Sequence, residues 1–150
     1  MLKGIDPILS PDLLAVLRAM GHGDEIAIVD ANYPAEAHAR RLVRADGHPA
    51  TTLLDAILSL MPLDRFVEDA AFRPVPAHDG RDIEETNALH REFESIIAKH
   101  EPGFAVVPLK GEAFYGRVKS AYALVASGER QLYGNIILRK GVIHPNGSHL

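Results

Sequence analysis

The chain has no cysteine, which excludes a disulfide framework, a thiol nucleophile and any thiolate-held metal. It also lacks a basic excess. Sixteen Lys and Arg against twenty Asp and Glu leave a net charge of -4, which gives no electrostatic reason to expect a nucleic acid partner. No apolar run approaches the roughly 20 residues of a membrane span. The start, Met1-Leu2-Lys3-Gly4-Ile5-Asp6-Pro7, has no apolar core of a secretory signal. There is no internal repeat and no low-complexity block. Together these absences predict a cytoplasmic protein that engages neither membrane nor nucleic acid.

What remains is an ordinary globular composition, 47% hydrophobic and 24% charged over 150 residues, enough for one domain with a real core. We expect that domain over residues 1–143, followed by a loose polar tail over 144–150. Ser10-Pro11-Asp12 reads as a helix start, followed by Leu13, Leu17 and Met20 on one face, with Gly21 as the left-handed residue that ends it. Residues 25–29 form a short apolar strand. A helical turn is expected over 35–40 and a strand over 41–44. A helix capped by Thr51 or Thr52 then runs through Leu53, Leu54, Ile57, Leu58 and Met61 to Pro62. Residues 70–75 predict a strand whose prolines, Pro74 and Pro76, favour an exposed or terminal place. His78-Asp79-Gly80 reads as a turn. A long amphipathic helix follows over 83–99, with Leu89, Phe93, Ile96 and Ile97 as its stripe. Strands at 104–107, 122–126 and 135–139 and a helix at 112–119 complete the chain. Helices alternating with short apolar strands predict an α/β domain, with helices on both faces of a largely parallel sheet.

The chemistry concentrates in Gly21-His22-Gly23-Asp24-Glu25. Glycines on both sides leave the imidazole of His22 unshielded, and imidazole is the side chain that exchanges protons near neutrality. Position alone equally allows a histidine resting against a helix C-terminus. Asp30 ends the first strand, where open α/β sheets form their crevices, and this tips the reading toward a functional pair. The glycines do not make a phosphate loop, because lysine and serine are missing and the motif precedes a strand. His22, Asp30 and His38 match no compact metal-ligand spacing. His48, His78, His90, His100, His144 and His149 fall on expected surface turns or helix faces and carry no assignment. Tyr115 and Tyr122 fit amphipathic packing. Tyr133-Gly134-Asn135 differs, because it places a phenol and an amide at a strand entrance, which suits sugar hydroxyls.

Taken together, Gly21-His22-Gly23-Asp24-Glu25, Asp30-Ala31-Asn32-Tyr33-Pro34, Arg44-Ala45-Asp46-Gly47 and Ala113-Phe114-Tyr115 resemble the RbsD/FucU family. So do Gly128-Glu129, Tyr133-Gly134-Asn135 and Leu138-Arg139-Lys140-Gly141-Val142. The chain is most similar to the fucose mutarotase branch. The resemblance implies a three-layer α/β/α sandwich on a mostly parallel or mixed six-stranded sheet. It also implies a ring-shaped homo-oligomer, usually a decamer of pentamers, with sites between neighbouring subunits. It makes His22 the catalytic acid/base and Asp30 a substrate-binding carboxylate. Tyr133 and Asn135 become the sugar-contacting pair, reaching the site from an adjacent subunit. Tyr115 becomes a pocket wall. Where that branch carries arginines just before Ala-Phe-Tyr, this chain has Lys110, a candidate substrate contact.

The reaction so implied is mutarotation of a free monosaccharide such as L-fucose, interconverting its anomers and ring forms. Hemiacetal opening needs one proton to leave the anomeric hydroxyl and another to reach the ring oxygen, and it calls for no cofactor and no metal. Two competing readings are a non-catalytic sugar-binding protein associated with transport and a metal-dependent hydrolase.

Overall fold

Ser10 opens the first helix as the spacing predicts: its Oγ accepts the Leu13 N–H at 3.2 Å, and Pro11 takes the first turn. The structure, a computed structural model, describes residues 1–76 and 84–149, and of 84–87 the backbone alone. The expected turn at His78-Asp79-Gly80 therefore lies outside the described residues. In order, the elements are α1 (Pro11–Ala19), β1 (Glu25–Val29), α2 (Ala35–His38), β2 (Leu42–Ala45), α3 (Ala50–Leu58) and β3 (Ala71–Pro74). They continue with α4 (Glu84–His100), β4 (Val107–Leu109), α5 (Gly111–Ser120), β5 (Ala123–Ser127) and β6 (Ile136–Arg139).

The six strands form one sheet in the order β2-β5-β1-β6-β3-β4. β1, β2, β3, β4 and β5 run the same way, and β6 alone runs against both its neighbours, β1 and β3. Alternating side chains divide the core between two faces. Ile26 and Ile28 of β1, Val125 of β5 and Leu138 of β6 pack on one face against Leu13 and Leu17 of α1, Leu53 and Ile57 of α3, and Phe93 and Ile97 of α4. Ala27, Val29, Leu124 and Ile137 pack on the other against Ala35 of α2 and Phe114 and Val118 of α5. The result is the three-layer α/β/α arrangement on a mixed sheet.

Three elements depart from the sequence expectation. α3 starts at Ala50 with Pro49 in the N-cap place and no side-chain cap of its own, so Thr51 and Thr52 lie inside the first turn. The cap comes from far away, where Glu129 Oε2 accepts the Ala50 N–H at 3.4 Å. β3 is interior, although its prolines argued for an edge. β6 pairs only with Ala71 and Phe72, so Pro74 sits past the point where that neighbour needs an N–H. β4 lies at 107–109, later than expected, because Val106 is consumed by the core and Phe104 packs beneath the Arg65 guanidinium at 5.0 Å.

Phe93 is fully buried between α4 and the sheet. Truncation to alanine leaves a cavity the size of a ring, so Phe93→Ala is expected to lose about 3–5 kcal/mol of stability. Urea unfolding of variant and parent measures it, and a loss below about 1 kcal/mol would contradict this packing.

Candidate active site

The turn between α1 and β1 holds His22 out at one end of the sheet. Met20 leaves the helix in an extended conformation, and Gly21 keeps an ordinary φ, so the left-handed residue is Gly23, at φ +83°. The turn is stitched in place by three bonds. The Gly21 N–H donates to Asp24 Oδ2 at 2.8 Å. The Gly23 N–H donates to the Lys140 carbonyl and the Lys140 N–H to the Asp24 carbonyl, both at 2.9 Å. The positive φ favours glycine at 23, and a Cβ there would also press within 3.1 Å of the Arg139 guanidinium, which would have to shift slightly. The Lys140 ammonium donates to the carbonyls of Leu17 and Met20 at the end of α1.

His22 Nε2 lies 2.9 Å from Asp64 Oδ1, and the imidazole keeps 45% of its side-chain surface exposed. Asp64 is completely buried and accepts two further bonds, from Arg139 Nε at 2.8 Å and the Phe66 N–H at 3.1 Å. Burial pushes the Asp64 carboxyl upward, but the Arg139 and His22 hydrogen bonds outweigh it and hold the group below the usual carboxylate range. The Phe66 ring sits 5.3 Å from the imidazole. With Nε2 donating to a carboxylate, the imidazole presents Nδ1 as a base. Asp64 and Arg139 were not assigned a role from sequence. Asp64 meets His22 across 42 residues, and no local spacing announces the pair.

The other end of β1 carries a second cluster. Asp30 and Asn135 bond reciprocally: the Asp30 N–H donates to Asn135 Oδ1 at 2.7 Å, and Asn135 Nδ2 donates to Asp30 Oδ2 at 2.9 Å. The Asn32 N–H donates to Asp30 Oδ1 at 2.9 Å. Burial raises the Asp30 carboxyl above its usual range against the opposing pull of these donors. Tyr33 shares a hydrogen bond with His38 Nδ1 at 2.9 Å and stacks on Tyr115 at 5.6 Å. Burial, then Tyr115 and Asp30, push the Tyr33 phenol upward, while burial and Lys119 lower His38. Two cavities flank Tyr33 and Pro34. One of about 450 Å³ is lined by His38, Glu112, Tyr115 and Lys119, and one of about 300 Å³ by Asp30, Tyr33, Arg44 and Ser127.

The expected pairing of His22 with Asp30 in one pocket does not occur within the chain. They flank the five residues of β1, which alone span about 17 Å at ~3.3 Å per residue. Asp30 instead joins Asn135, which sequence reasoning had placed on a separate subunit from it. The physical reason is that β6 runs antiparallel to β1, so the start of one lies beside the end of the other. Tyr133 belongs to the same turn as Asn135 and is, among the described residues, the one non-glycine with positive φ, at 59°. Lys110 is exposed in the N-cap place of α5 and lines neither cavity. His22 and His38 fall in different clusters, and among the described residues no group of three His, Asp or Glu could hold a metal ion. Nor is any described helix long and apolar enough to cross a membrane.

A buried carboxylate thus holds a half-exposed imidazole at one end of a three-layer α/β/α sandwich, an arrangement capable of moving a proton. The chain belongs to the RbsD / FucU transport protein family, whose pattern matches residues 3–143. It is 43% identical to the human fucose mutarotase over 97% of this chain and 96% of that one. It is 45% identical to the L-fucose mutarotase of Glaesserella parasuis over 95% and 96%. The crystal structure of the fucose mutarotase in complex with L-fucose from Streptococcus pneumoniae superposes with a TM-score of 0.85 at 44% identity, covering 95% of this chain and all of that one.

The depressed Asp64 carboxyl makes stability depend on pH. Its folded pKa lies below the unfolded value of about 3.9, so the unfolded chain binds the extra proton. Its contribution is present in full above that value and is lost as pH falls through the folded one. In urea unfolding, the stability gap between parent and Asp64→Asn should therefore hold steady from pH 6 down to about 5 and shrink as pH falls through about 4 and below. A gap that stays constant over that range would show that the carboxylate is not held ionised by its partners.

Proposed function

We propose that this chain is a monosaccharide mutarotase acting on free L-fucose, with His22 as the proton-transfer group. The observation that carries this reading is the His22–Asp64 pair. A half-exposed imidazole oriented by a buried carboxylate suits proton transfer, and the homology to fucose mutarotases disfavours a purely binding role. Residues 1–143 form the working domain, and 144–150 lie outside it.

The chemistry follows from the arrangement. Neutral His22 takes the proton of the anomeric hydroxyl through Nδ1 as the bond from C1 to the ring oxygen breaks, and the ring oxygen takes a proton from the Tyr115 phenol, which is left as the phenolate until the ring recloses. The open aldehyde rotates about its C1–C2 bond and closes on the other face, with each proton returned. Asp64 fixes the tautomer of His22 and stabilises the imidazolium while it exists. Asp30 and Asn135 hold sugar hydroxyls, Tyr133 fixes the ring, and Tyr115, 44% exposed beside the larger cavity, supplies a phenol at the ring-oxygen side.

One chain cannot do this alone, because its proton-transfer pair and its sugar-binding group sit at opposite ends of β1. The complete site forms where one end of a subunit faces the other end of its neighbour. That is a heterologous contact, which closes into a ring when the rotation between subunits closes. Combining it with what the resemblance to the RbsD/FucU family implies, we read the protein as a cytoplasmic ring-shaped homo-oligomer, a decamer of two pentamers, with its sites between subunits.

His22→Ala is expected to fold normally and to lose the accelerated exchange of L-fucose anomers. The measure is saturation transfer between anomeric protons, where general acid–base catalysis is worth on the order of 10² to 10⁴-fold. Unchanged exchange in the folded variant would remove His22 from the mechanism.

The shared site has its own test. Dissociated His22→Ala and Tyr115→Phe/Asn135→Ala subunits, mixed equally and reassembled, should regain about a quarter of parental activity, because a quarter of random junctions carry both intact halves. Mixtures that remain as inactive as their parents would make each site self-contained.

A further inference from the structure

The buried histidine of α4 has no place in the chemistry above. His90 is 3% exposed, although its sequence position suggested a surface helix face. Its Nε2–H donates to the Tyr133 carbonyl at 2.9 Å. Its Nδ1 is buried with no hydrogen-bond partner. Burial and the nearby Arg73 cation both disfavour a second proton on this ring. The bond to Tyr133 pulls the other way, the net shift is downward, and the Nε2–H is given to that one carbonyl.

We propose that His90 is a positioning residue for the sugar-binding turn: by holding the Tyr133 carbonyl it fixes the peptide plane whose N–H side bears on Asp30. Carbonyl and N–H of a trans peptide point in opposite directions. With the Tyr133 carbonyl turned into the core toward α4, the Gly134 N–H faces the Gln131 carbonyl at 3.3 Å and lies among the donors around the Asp30 carboxylate. Tyr133 also takes a left-handed conformation, φ 59°, which a non-glycine residue keeps only where the surroundings compel it. Those surroundings are tight. A Cβ on Gly134 would meet Glu129 Cγ at 2.6 Å, the Gln131 carbonyl at 2.9 Å and Leu89 Cδ2 at 3.1 Å, so the turn lies directly on α4 beside His90. Losing the His90 donor removes the bond that turns this carbonyl toward α4 and lets the plane rotate. Tyr133 then relaxes, and Gly134 and Asn135 shift against Asp30. The role in sugar affinity rests on the reading of Asp30, Tyr133 and Asn135 as sugar contacts, whereas the role in turn geometry does not.

The test uses two variants of the full chain. His90→Phe keeps a ring of similar size without the donor, and His90→Gln places an amide N–H near the position of Nε2. In anomer exchange on L-fucose, His90→Phe should raise KM about tenfold with kcat within about twofold of the parent. His90→Gln should return KM to within about threefold. In crystals, Tyr133 should leave positive φ in His90→Phe and keep it in His90→Gln. An unchanged KM in folded His90→Phe, equal impairment of both variants, or a fall in kcat alone would overturn the proposal. If the parent accelerates exchange of no aldose, the functional reading fails separately, and the crystal comparison decides. A Tyr133 that keeps its φ in His90→Phe then overturns the positioning role.

Discussion

The antiparallel pairing of β1 with β6 is the constraint on which both clusters depend. In register, Glu25 stands opposite Arg139 and Ile28 opposite Ile136. The residues just before and after each strand are therefore delivered in matched pairs. At one end, the turn carrying His22 meets Arg139 at the end of β6 and Lys140 just beyond it, and Arg139 brings its charge to Asp64. At the other, Asp30 leaving β1 meets Asn135 entering β6. Reversing only this strand in an otherwise parallel sheet lets one pair of neighbours furnish two sites. A parallel neighbour would bring its own start beside the start of β1 and leave Asp30 without the amide.

Each of the two clusters holds a buried carboxylate, and their surroundings push the two in opposite directions. Asp64 is held below the usual range because a guanidinium and an imidazole bond to it. Asp30, with neutral amides as partners, is pushed up by burial. This separation by environment suits the two roles. A carboxylate that steadies a transient imidazolium must remain ionised, whereas one that meets neutral hydroxyls can accept or share a proton without disturbing charge balance.

Much of this was legible in the sequence, for local reasons. The Ser10 cap, the apolar run of β1, the placement of β6 and the two-faced alternation are all written in neighbouring residues. His22 and Asp30 were visible because glycines and a strand end mark them. What was not legible depends on pairings across the chain. Asp64 reaches His22 over 42 residues and His90 reaches Tyr133 over 43. Glu129 caps α3 from 79 residues away. The interior place of β3 could not be read from its prolines, because what excuses Pro74 is the short reach of β6. The separation of His22 from Asp30 follows from the length of β1, but their nearness in sequence concealed it.

Glu129 caps more than α3. Its carboxylate also accepts the N–H groups of Arg130 and Gln131, and its carbonyl receives the N–H of Ala31 beside Asp30. Loops that bind ligands are commonly the softest parts of a fold, and freezing them on binding consumes part of the affinity as lost conformational entropy. Here the loop from 128 to 135 is frozen by the act of folding, on the same carboxylate that starts a core helix. A small, heavily hydrated ligand offers little apolar surface to drive its own capture, and a loop tied down in advance by such bonds has less entropy left to lose when one docks.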